Sequence, residues 1–331
     1  MKKYTKLTWN IPFLTKLWRG RNFSFATSFV LMATCSVACT SAADEGPEIT
    51  EDYDSAHLTL ATGPYFLPGE DITPAGKSWA KVENMSDEFD AATINTSKWQ
   101  LDPVGNGWNW IGRPPGLFQP ENVSIENGKM TITVGELDQP QTINGNEFLY
   151  KGAIVRSINP GQVGWYYETK MKANKTEMSS TFWLMTKYDC EKKLELDIQE
   201  CVGVVSPQAA TWVNGWDKIF HSNCIHRQTT CVDHYQLQNS IKPFTENHQR
   251  YFVYAAWWKS KDEVQFFLDG KYAYSIHPEV DWDMPAYLQM AIETYDWNPV
   301  PADGGAVASA PLAERKTQYE WIRTWKLEPT Q

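Results

Sequence analysis

The stretch Leu-Glu-Leu-Asp-Ile-Gln-Glu-Cys, residues 194–201, places three carboxylates within an otherwise apolar run. On a helix, at about 100° per residue, the side chains of Glu195, Asp197 and Glu200 would point in different directions and share no site. On a strand, Glu195 and Asp197 share one face, and Glu200 joins them only if one extra residue at 198–199 resets the alternation. The stretch therefore predicts a strand with a β-bulge, whose acids face a cleft and whose alternate apolar side chains face the core.

Three acids in line suit glycoside hydrolysis with retention. This chemistry uses a carboxylate nucleophile and a protonated carboxyl that serves the leaving oxygen, and a middle acid can couple their charges. An exposed acidic edge strand would show the same spacing without any catalysis. The spacing alone leaves both interpretations open.

The composition is that of an acidic, aromatic-rich protein. The chain has 331 residues, enough for one large domain or two small ones, and a formal net charge of −10. Such a charge disfavours nucleic acid and anionic lipid as partners. The sequence has 16 Trp and 15 Tyr residues, many for this length, and aromatic rings that face a cleft stack well on sugar faces.

Residues 1–43 have the features of an export signal. A cationic start is followed by the apolar run 23–38 and by small residues up to position 43. Cys39 resembles the lipidated cysteine of a bacterial lipoprotein, although a Ser replaces the usual Leu three residues earlier; cleavage after Ala43 and a retained membrane anchor are the alternatives. We therefore expect a secreted, periplasmic or cell-surface bacterial protein, with a flexible acidic spacer at 44–74 and one main domain at 75–331.

Export implies an oxidising compartment, in which the later cysteines can form disulfides. These are Cys190, Cys201, Cys224 and Cys231, and they show no metal-type spacing such as Cys-x-x-Cys. Cys224 and Cys231 are near enough in sequence to close a short loop, so a bridge between them is one hypothesis. Sequence alone does not establish which cysteines are close in space.

From Trp79 onward, short aromatic-rich runs alternate with Gly, Pro, Asn and Asp turns, without a long helical stripe. The clearest hairpin joins 122–125 to 130–134 through an Asn-Gly turn at 127–128. Further strands are predicted at 153–157, 164–172, 180–185, 194–201, 251–258, 263–268, 287–293 and 319–327. This pattern predicts an all-β sandwich.

The order of these motifs resembles glycoside hydrolase family 16 over residues 79–327. The segment 86–90 (Ser-Asp-Glu-Phe-Asp) is similar to the family's first strand, and 319–325 to its last. The Glu-x-Asp-x-x-Glu pattern at 195–200 is similar to the catalytic signature of the family. The resemblance implies a jelly-roll β-sandwich of two curved antiparallel sheets with a concave saccharide-binding cleft. It also implies that Glu195 is the nucleophile, Asp197 the assisting acid and Glu200 the acid/base.

Three further segments resemble the branch of this family that cuts red-algal agar-type galactans, the β-porphyranases and β-agarases. They are residues 110–116, 178–185 and 292–299. With this resemblance, the residues that we expect to contact the substrate are Trp108, Trp110, Arg113, Arg156, Trp183, His221, Asn223, Arg227, Glu293 and Trp297.

Several of these expected contacts have a purely structural alternative. Trp183 lies one strand before the acids and can present its indole to the sugar at the cleavage point, but a buried core Trp fits the pattern too. Arg113 and Arg156 can be ion-pair partners of an acidic surface instead of ligands. His221 shares a face with Asn223 at period two, yet a lone His is more often structural.

The resemblance implies an endo-acting retaining hydrolase of β-1,4 linkages in algal galactan. We expect porphyran as substrate, because Arg156, His221, His226 and Arg227 are cations that suit a sulfate group. A β-agarase acting on neutral agarose and a non-catalytic carbohydrate-binding jelly-roll are the alternatives, and a polysaccharide lyase is more distant because it needs a Tyr, His or Lys base. We expect a monomer with no cofactor and no catalytic metal, and the question of a structural calcium ion stays open.

The Cys39 motif leads to a testable expectation about localisation. If Cys39 carries a lipid, the Cys39→Ser variant should move from the membrane fraction to the medium or periplasm, because one or two acyl chains supply the membrane affinity. Fractionation and immunoblotting of the two forms measure this. A soluble product from both forms would favour cleavage near Ala43.

Overall fold

The computed structural model describes residues 61–330, and strands dominate this part of the chain. The expected export signal, Cys39 and residues 44–60 of the expected spacer lie outside the described residues. The strands are β1 (Lys77–Lys81), β2 (Trp99–Gln100), β3 (Gly116–Phe118), β4 (Val123–Ile125), β5 (Met130–Thr133), β6 (Gly135–Ile143), β7 (Asn146–Gly161), β8 (Tyr166–Lys172), β9 (Ser179–Thr186), β10 (Leu194–Val202), β11 (Phe220–His226), β12 (Tyr235–Ile241), β13 (Phe252–Ser260), β14 (Glu263–Leu268), β15 (Lys271–Ile276), β16 (Ala286–Ile292) and β17 (Lys316–Pro329). They are accompanied by the short helix α1 (Gly305–Ser309) and by 3₁₀ turns at Glu83–Met85, Pro120–Asn122, Thr211–Val213 and Leu312–Glu314. Within residues 61–330, no helix is long and apolar enough to cross a membrane.

The strands form two sheets. The back sheet has the strand order β15-β14-β13-β8-β17-β5-β4, and β1 pairs with β17. The front sheet has the order β12-β11-β10-β9-β16-β7-β2, and β3 and β6 also pair with β7. The pairs are antiparallel except for β3 with β7. The predicted all-β sandwich of two antiparallel sheets is confirmed.

Alternating side chains from the two sheets meet in one core. Leu194, Leu196 and Ile198 of β10 are buried there, together with Met171 of β8 and Tyr254 of β13 from the back sheet. Full burial of an aliphatic side chain of this kind contributes about 1.5–3 kcal/mol. Because side chains alternate along a strand, the opposite face of β10 is available for the acids.

The ten predicted strands correspond to β4, β5, β7–β10, β13, β14, β16 and β17, and the one predicted at 153–157 is much longer in the structure. The segment 86–90, which resembles the family's first strand, is not a strand: it forms one isolated bridge, from Asp87 to Ile322, and Phe89 has a φ of 57°, which interrupts an extended backbone.

In the β4–β5 hairpin, Asn127 and Gly128 have φ values of 51° and 70°, which an Asn-Gly turn requires. The longest strand is β7, with 16 residues. Its first half pairs with β3 and β6, and its second half pairs with β16 and β2 in the front sheet. This second half carries Arg156 into the sheet that contains the acids.

The expected spacer is too long at its C-terminal end, because residues 61–74 are packed on the back sheet. The backbone N–H of Tyr65 donates to Glu168 Oε2 at 2.9 Å, and that of Leu67 donates to the Gly270 carbonyl at 3.0 Å. The Phe66 ring packs edge-on against Tyr166, with centroids 5.5 Å apart. Burial of apolar side chains such as Phe66 stabilises the packing of this segment on the sheet.

The hypothesis of a Cys224–Cys231 bridge is wrong. Cys231 pairs with Cys190, with their Cα atoms 5.4 Å apart, and Cys224 is a free, buried cysteine. Cys224 lies on β11 with its side chain in the core, whereas Cys190 precedes β10 and Cys231 follows β11. The bridge therefore ties together two loops at the same end of the β10–β11 pair.

Candidate active site

The central strand of the site, β10, contains the predicted bulge. Asp197 pairs with Trp183 of β9, and the register then shifts, so that Ile198 is the extra residue. Glu195, Asp197 and Glu200 consequently line one cleft with a volume of about 690 Å³. The predicted placement of the three acids on one face is confirmed.

A row of paired residues crosses the front sheet at Asp197. Asn223 of β11 is its partner on one side and Trp183 of β9 on the other, and beyond Trp183 follow Gln289 of β16 and Arg156 of β7. Because neighbouring strands lie about 4.8 Å apart, Arg156 is on the order of 14 Å from Asp197 along this row. The cleft therefore combines a central acidic strand with a cation three strands away.

Arg227 contacts the first of the three acids. Its Nε donates to Glu195 Oε2 at 2.8 Å and its Nη2 donates to Glu195 Oε1, so the guanidinium binds the carboxylate through two parallel hydrogen bonds. A two-bond contact of this type fixes the plane of the carboxylate as well as its position. The structure thus places Arg227 on Glu195, whereas the sequence predicted a contact with substrate.

The middle acid, Asp197, lies between two carboxylates and one amide. Asn223 Nδ2 donates to Asp197 Oδ2 at 3.1 Å and to Glu200 Oε2 at 3.4 Å. Burial, together with the charges of Glu195 and Glu200, raises the pKa of Asp197 well above its usual range. Asp197 is therefore suited to keep a proton close to the other two acids.

The third acid, Glu200, has two aromatic neighbours. Burial raises the pKa of Glu200, and a hydrogen bond donated by the Tyr295 hydroxyl opposes this shift. His221 Nε2 lies 3.9 Å from Glu200 Oε2, and burial lowers the pKa of His221 to about 4, so this imidazole is neutral at pH 7. His221 and Asn223 share one face of β11, as predicted, and both lie against the acids; their contact with substrate stays a prediction.

Arg113 and Glu293 form an ion pair in the wall of the cleft. Arg113 Nε donates to Glu293 Oε2 at 2.9 Å, and its guanidinium lies 5.3 Å from the ring centroid of Tyr295. Burial raises the pKa of Glu293 to about 7, although Arg113 opposes the shift. Both residues also line the cleft beside Glu200. Arg113 is therefore an ion-pair partner and a residue of the site at the same time.

Arg156 lies at the end of this row that is farthest from Asp197, and several hydrogen-bond donors around it have no acceptor. Its Nε donates to Gln289 Oε1 and its Nη1 to the Pro103 carbonyl, both at 3.0 Å. Arg156 Nη2, Gln289 Nε2 and Trp108 Nε1 are buried and have no hydrogen-bond partner, and all three residues line the cleft. Lys187 Nζ lies 3.8 Å from the ring centroid of Trp108. Burial lowers the pKa of Arg156 to about 10, so its guanidinium is still charged at neutral pH.

The predicted aromatic contacts occupy two parts of the site. Trp110 and Trp183 line the cleft, with ring centroids 6.1 Å apart, and Trp110 also packs edge-on against Phe118. Trp183 is 7% exposed, so its indole is packed on one side and presents its remaining surface to the cleft. Trp297 lies away from this pair and stacks on Tyr295.

His226 was wrongly predicted to be a cation of the cleft, and three residues that line the cleft were missed. His226 faces away from His221 and Asn223 by strand alternation, and its Nε2 lies 3.0 Å from the Glu191 carbonyl. Tyr295, Gln289 and Lys187 were missed. A signal existed for Gln289, which is a polar residue in an apolar strand at period two from Ala291 and Glu293, but no local pattern indicates Lys187.

Among residues 61–330, no group of three or more His, Cys, Asp or Glu side chains is arranged to hold a metal ion.

Comparison with known proteins links this geometry to one family. A model described as "Beta-porphyranase A-D, GH16 domain" matches residues 79–327. The chain is 44% identical to Beta-porphyranase B of Zobellia galactanivorans over 80% of this chain and 90% of that protein. It is 30% identical to Beta-porphyranase B of Phocaeicola plebeius, over 77% of this chain and 87% of that protein.

Solved structures show the same likeness. The crystal structure of porphyranase B from Z. galactanivorans matches with a TM-score of 0.74 and 42% identity, over 80% of this chain and 99% of that chain. β-Agarase A from the same organism matches with a TM-score of 0.64 over 85% of this chain and 100% of that chain. At 19% identity, the agarase comparison shows a shared fold alone.

Proposed function

Because the chain belongs to the glycoside hydrolase family 16 domains of the β-porphyranase A–D type, it is a glycoside hydrolase, and we propose that it is an endo-acting β-porphyranase. The observation that carries the proposal is the bulged strand β10, which brings Glu195, Asp197 and Glu200 onto one face of a cleft. The non-catalytic carbohydrate-binding alternative is set aside, since the family is one of hydrolases.

In the proposed mechanism, Glu195 attacks the anomeric carbon and forms a covalent glycosyl-enzyme, which water then hydrolyses with retention of configuration. Arg227 orients the attacking carboxylate through its two hydrogen bonds. Glu200, whose pKa is raised by burial, protonates the leaving oxygen and later takes a proton from the water. Asp197, also with a raised pKa, holds a proton next to both and limits the repulsion between three buried carboxylates.

The choice of porphyran rests on the Arg156 end of the cleft. Agarose and porphyran differ mainly at one sugar, which is 3,6-anhydro-L-galactose in the first and L-galactose-6-sulfate in the second. A sulfate must lose water to enter a buried site, and charged or strong donors compensate for this loss. Arg156 Nη2, Gln289 Nε2 and Trp108 Nε1 are such donors, and Lys187 adds a second positive charge.

A β-agarase is the second candidate, favoured by the shared fold of β-agarase A. The β-agarases are more distant in sequence: Beta-agarase AgaB34 of Agarivorans albus, for example, is 24% identical. A neutral anhydrogalactose binds best against an apolar surface, whereas the Arg156 cluster presents charged and polar donors. We favour porphyran for this reason.

We also propose that the protein acts outside the cytoplasm, as a monomer that meets its polysaccharide directly. The apolar run 23–38 and the cysteine at position 39 support export, with cleavage after Ala43 as the alternative to a lipid anchor. A long polysaccharide is too large to cross a membrane unaided, which supports cleavage outside the cytoplasm.

The first prediction concerns the nucleophile. Glu195→Gln should lower kcat on porphyran by roughly 10³-fold or more, because an amide cannot form the covalent intermediate. Thermal unfolding should show that the variant is folded, and Glu147→Gln, on the exposed start of β7, is the matched control that keeps full activity. Inversion of the anomeric configuration in an NMR time course of the products would contradict the mechanism.

The second prediction concerns the protonation of Glu200. The Tyr295 hydroxyl donates to Glu200 and so favours the ionised carboxylate; in Tyr295→Phe the pKa of Glu200 should rise further. Because Glu200 must be protonated to serve as acid, the basic limb of the kcat/KM profile should move to higher pH. Tyr272→Phe, on the exposed side of the back sheet, should leave the profile unchanged. A shift to lower pH would contradict this assignment of the acid.

The third prediction concerns sulfate. Arg156→Ala should weaken cleavage of porphyran by about 1.5–3 kcal/mol, or on the order of ten- to a hundredfold in kcat/KM, with little change on agarose. The porphyran-to-agarose ratio is the readout, because a partly unfolded variant loses both activities together. Arg156→Lys should retain part of the preference through its charge. Faster cleavage of agarose than of porphyran by the unmodified enzyme would support the β-agarase alternative.

A further inference from the structure

A second aromatic surface lies outside the cleft, and we call it the tryptophan wall. It consists of Trp212 and Trp216, in the connection between β10 and β11, and of Trp297, which follows β16. The Trp216 and Trp297 ring centroids are 4.6 Å apart, and that of Trp212 lies 5.5 Å from Trp297 and 6.0 Å from Trp216. Trp212 is 58% exposed, although it is a residue type that folding usually buries to a large extent.

The tryptophan wall is continuous with the surroundings of Glu200. Trp297 stacks on Tyr295, with centroids 4.4 Å apart and an interplanar angle of 22°, and the Tyr295 hydroxyl donates to Glu200. Trp216 packs on His221 at 4.5 Å, and His221 Nε2 is 3.9 Å from Glu200 Oε2. Two neighbours of Glu200 are therefore also the neighbours of the wall.

A buried amide holds the two segments of the wall together. Asn298, which is 0% exposed, donates through Nδ2 to the carbonyls of Glu177 and Val204, at 2.8 and 3.0 Å. Its Oδ1 accepts from the backbone N–H of Ser206 at 2.8 Å. The residue next to Trp297 is thus bonded to the segment that leads to Trp212 and Trp216. The rings are placed before any ligand binds, so little ordering entropy is lost on binding.

We propose that the tryptophan wall binds the leaving part of the polysaccharide, as a stacking surface for sugars beyond the one whose oxygen Glu200 protonates. This inference rests on the proposed function, specifically on Glu200 as the acid. If the leaving oxygen lies at Glu200, the departing chain begins beside Tyr295 and His221, and the next protein surface that it reaches is the wall. The wall presents flat aromatic rings, so the part of the substrate that it binds is the apolar face of a sugar ring.

The test compares two substrates that differ on the leaving side. Porphyran extends over the tryptophan wall, whereas an aryl β-glycoside of a porphyran oligosaccharide, with the aryl group as leaving group, has no sugar there. Trp212→Ala should lower kcat/KM on porphyran about tenfold, mainly through KM, because one exposed stacking contact is lost. It should leave kcat/KM on the aryl substrate unchanged. Trp212→Phe should restore part of the loss, and Tyr272→Ala, an exposed aromatic residue of the back sheet, is the matched control.

Several outcomes would overturn the inference. An equal loss of kcat/KM on both substrates, or no loss on either, would show that the wall does not bind the leaving side of the substrate. If sedimentation shows that the unmodified protein is a dimer and that Trp212→Ala is a monomer, the wall is instead a contact between two copies of the chain. If the unmodified enzyme cuts agarose and not porphyran, the proposed substrate fails, and the same comparison on agarose still decides the role of the wall. Affinity electrophoresis in porphyran gels, in the inactive Glu195→Gln background, should show weaker retardation when Trp212→Ala is added; equal retardation would contradict the inference.

Discussion

The bulge at Ile198 is the constraint on which the site depends. Without the extra residue, strict alternation along β10 would turn Glu200 toward the core that receives Leu196. An unpaired carboxylate in that core would cost several kcal/mol, or would take up a proton and lose its function. One inserted residue lets the apolar side chains stay buried while all three acids face the cleft. The catalytic arrangement is therefore a consequence of strand register.

Three carboxylates so close together can coexist only because their surroundings differ. Glu195 is bound by the guanidinium of Arg227, Asp197 accepts from Asn223, and Glu200 accepts from Tyr295. A cation favours the charged form of a carboxyl, whereas burial favours the neutral form. Burial and the neighbouring carboxylates raise the pKa of Asp197 and of Glu200, which suits these two acids to hold and donate a proton.

The front sheet offers two different surfaces on the two sides of these acids. The Arg156 end has buried donors without partners, and the tryptophan wall, in the connections after β10 and β16, presents aromatic rings. In a chain with a net charge of −10, the cations of the cleft stand out against an acidic surface. A polyanion is attracted to the cleft by these local charges and repelled elsewhere, which favours binding in one place. Sugar stacking adds contact area that does not depend on charge.

The sequence alone predicted ten of the strands in the described residues, the acid-bearing bulge and the candidate acids, because strand alternation and turn chemistry are local patterns. It also predicted that Asn223 shares a face with His221, and it left a cleft-facing or a core position open for Trp183, which lines the cleft. Contacts between distant segments were decided only by the tertiary structure: Arg227 with Glu195 across 32 residues, and Arg113 with Glu293 across 180. The same holds for the Cys190–Cys231 bridge and the packing of residues 61–74. Which loops meet at the end of a sheet depends on the strand order, and a local pattern carries no information about that order.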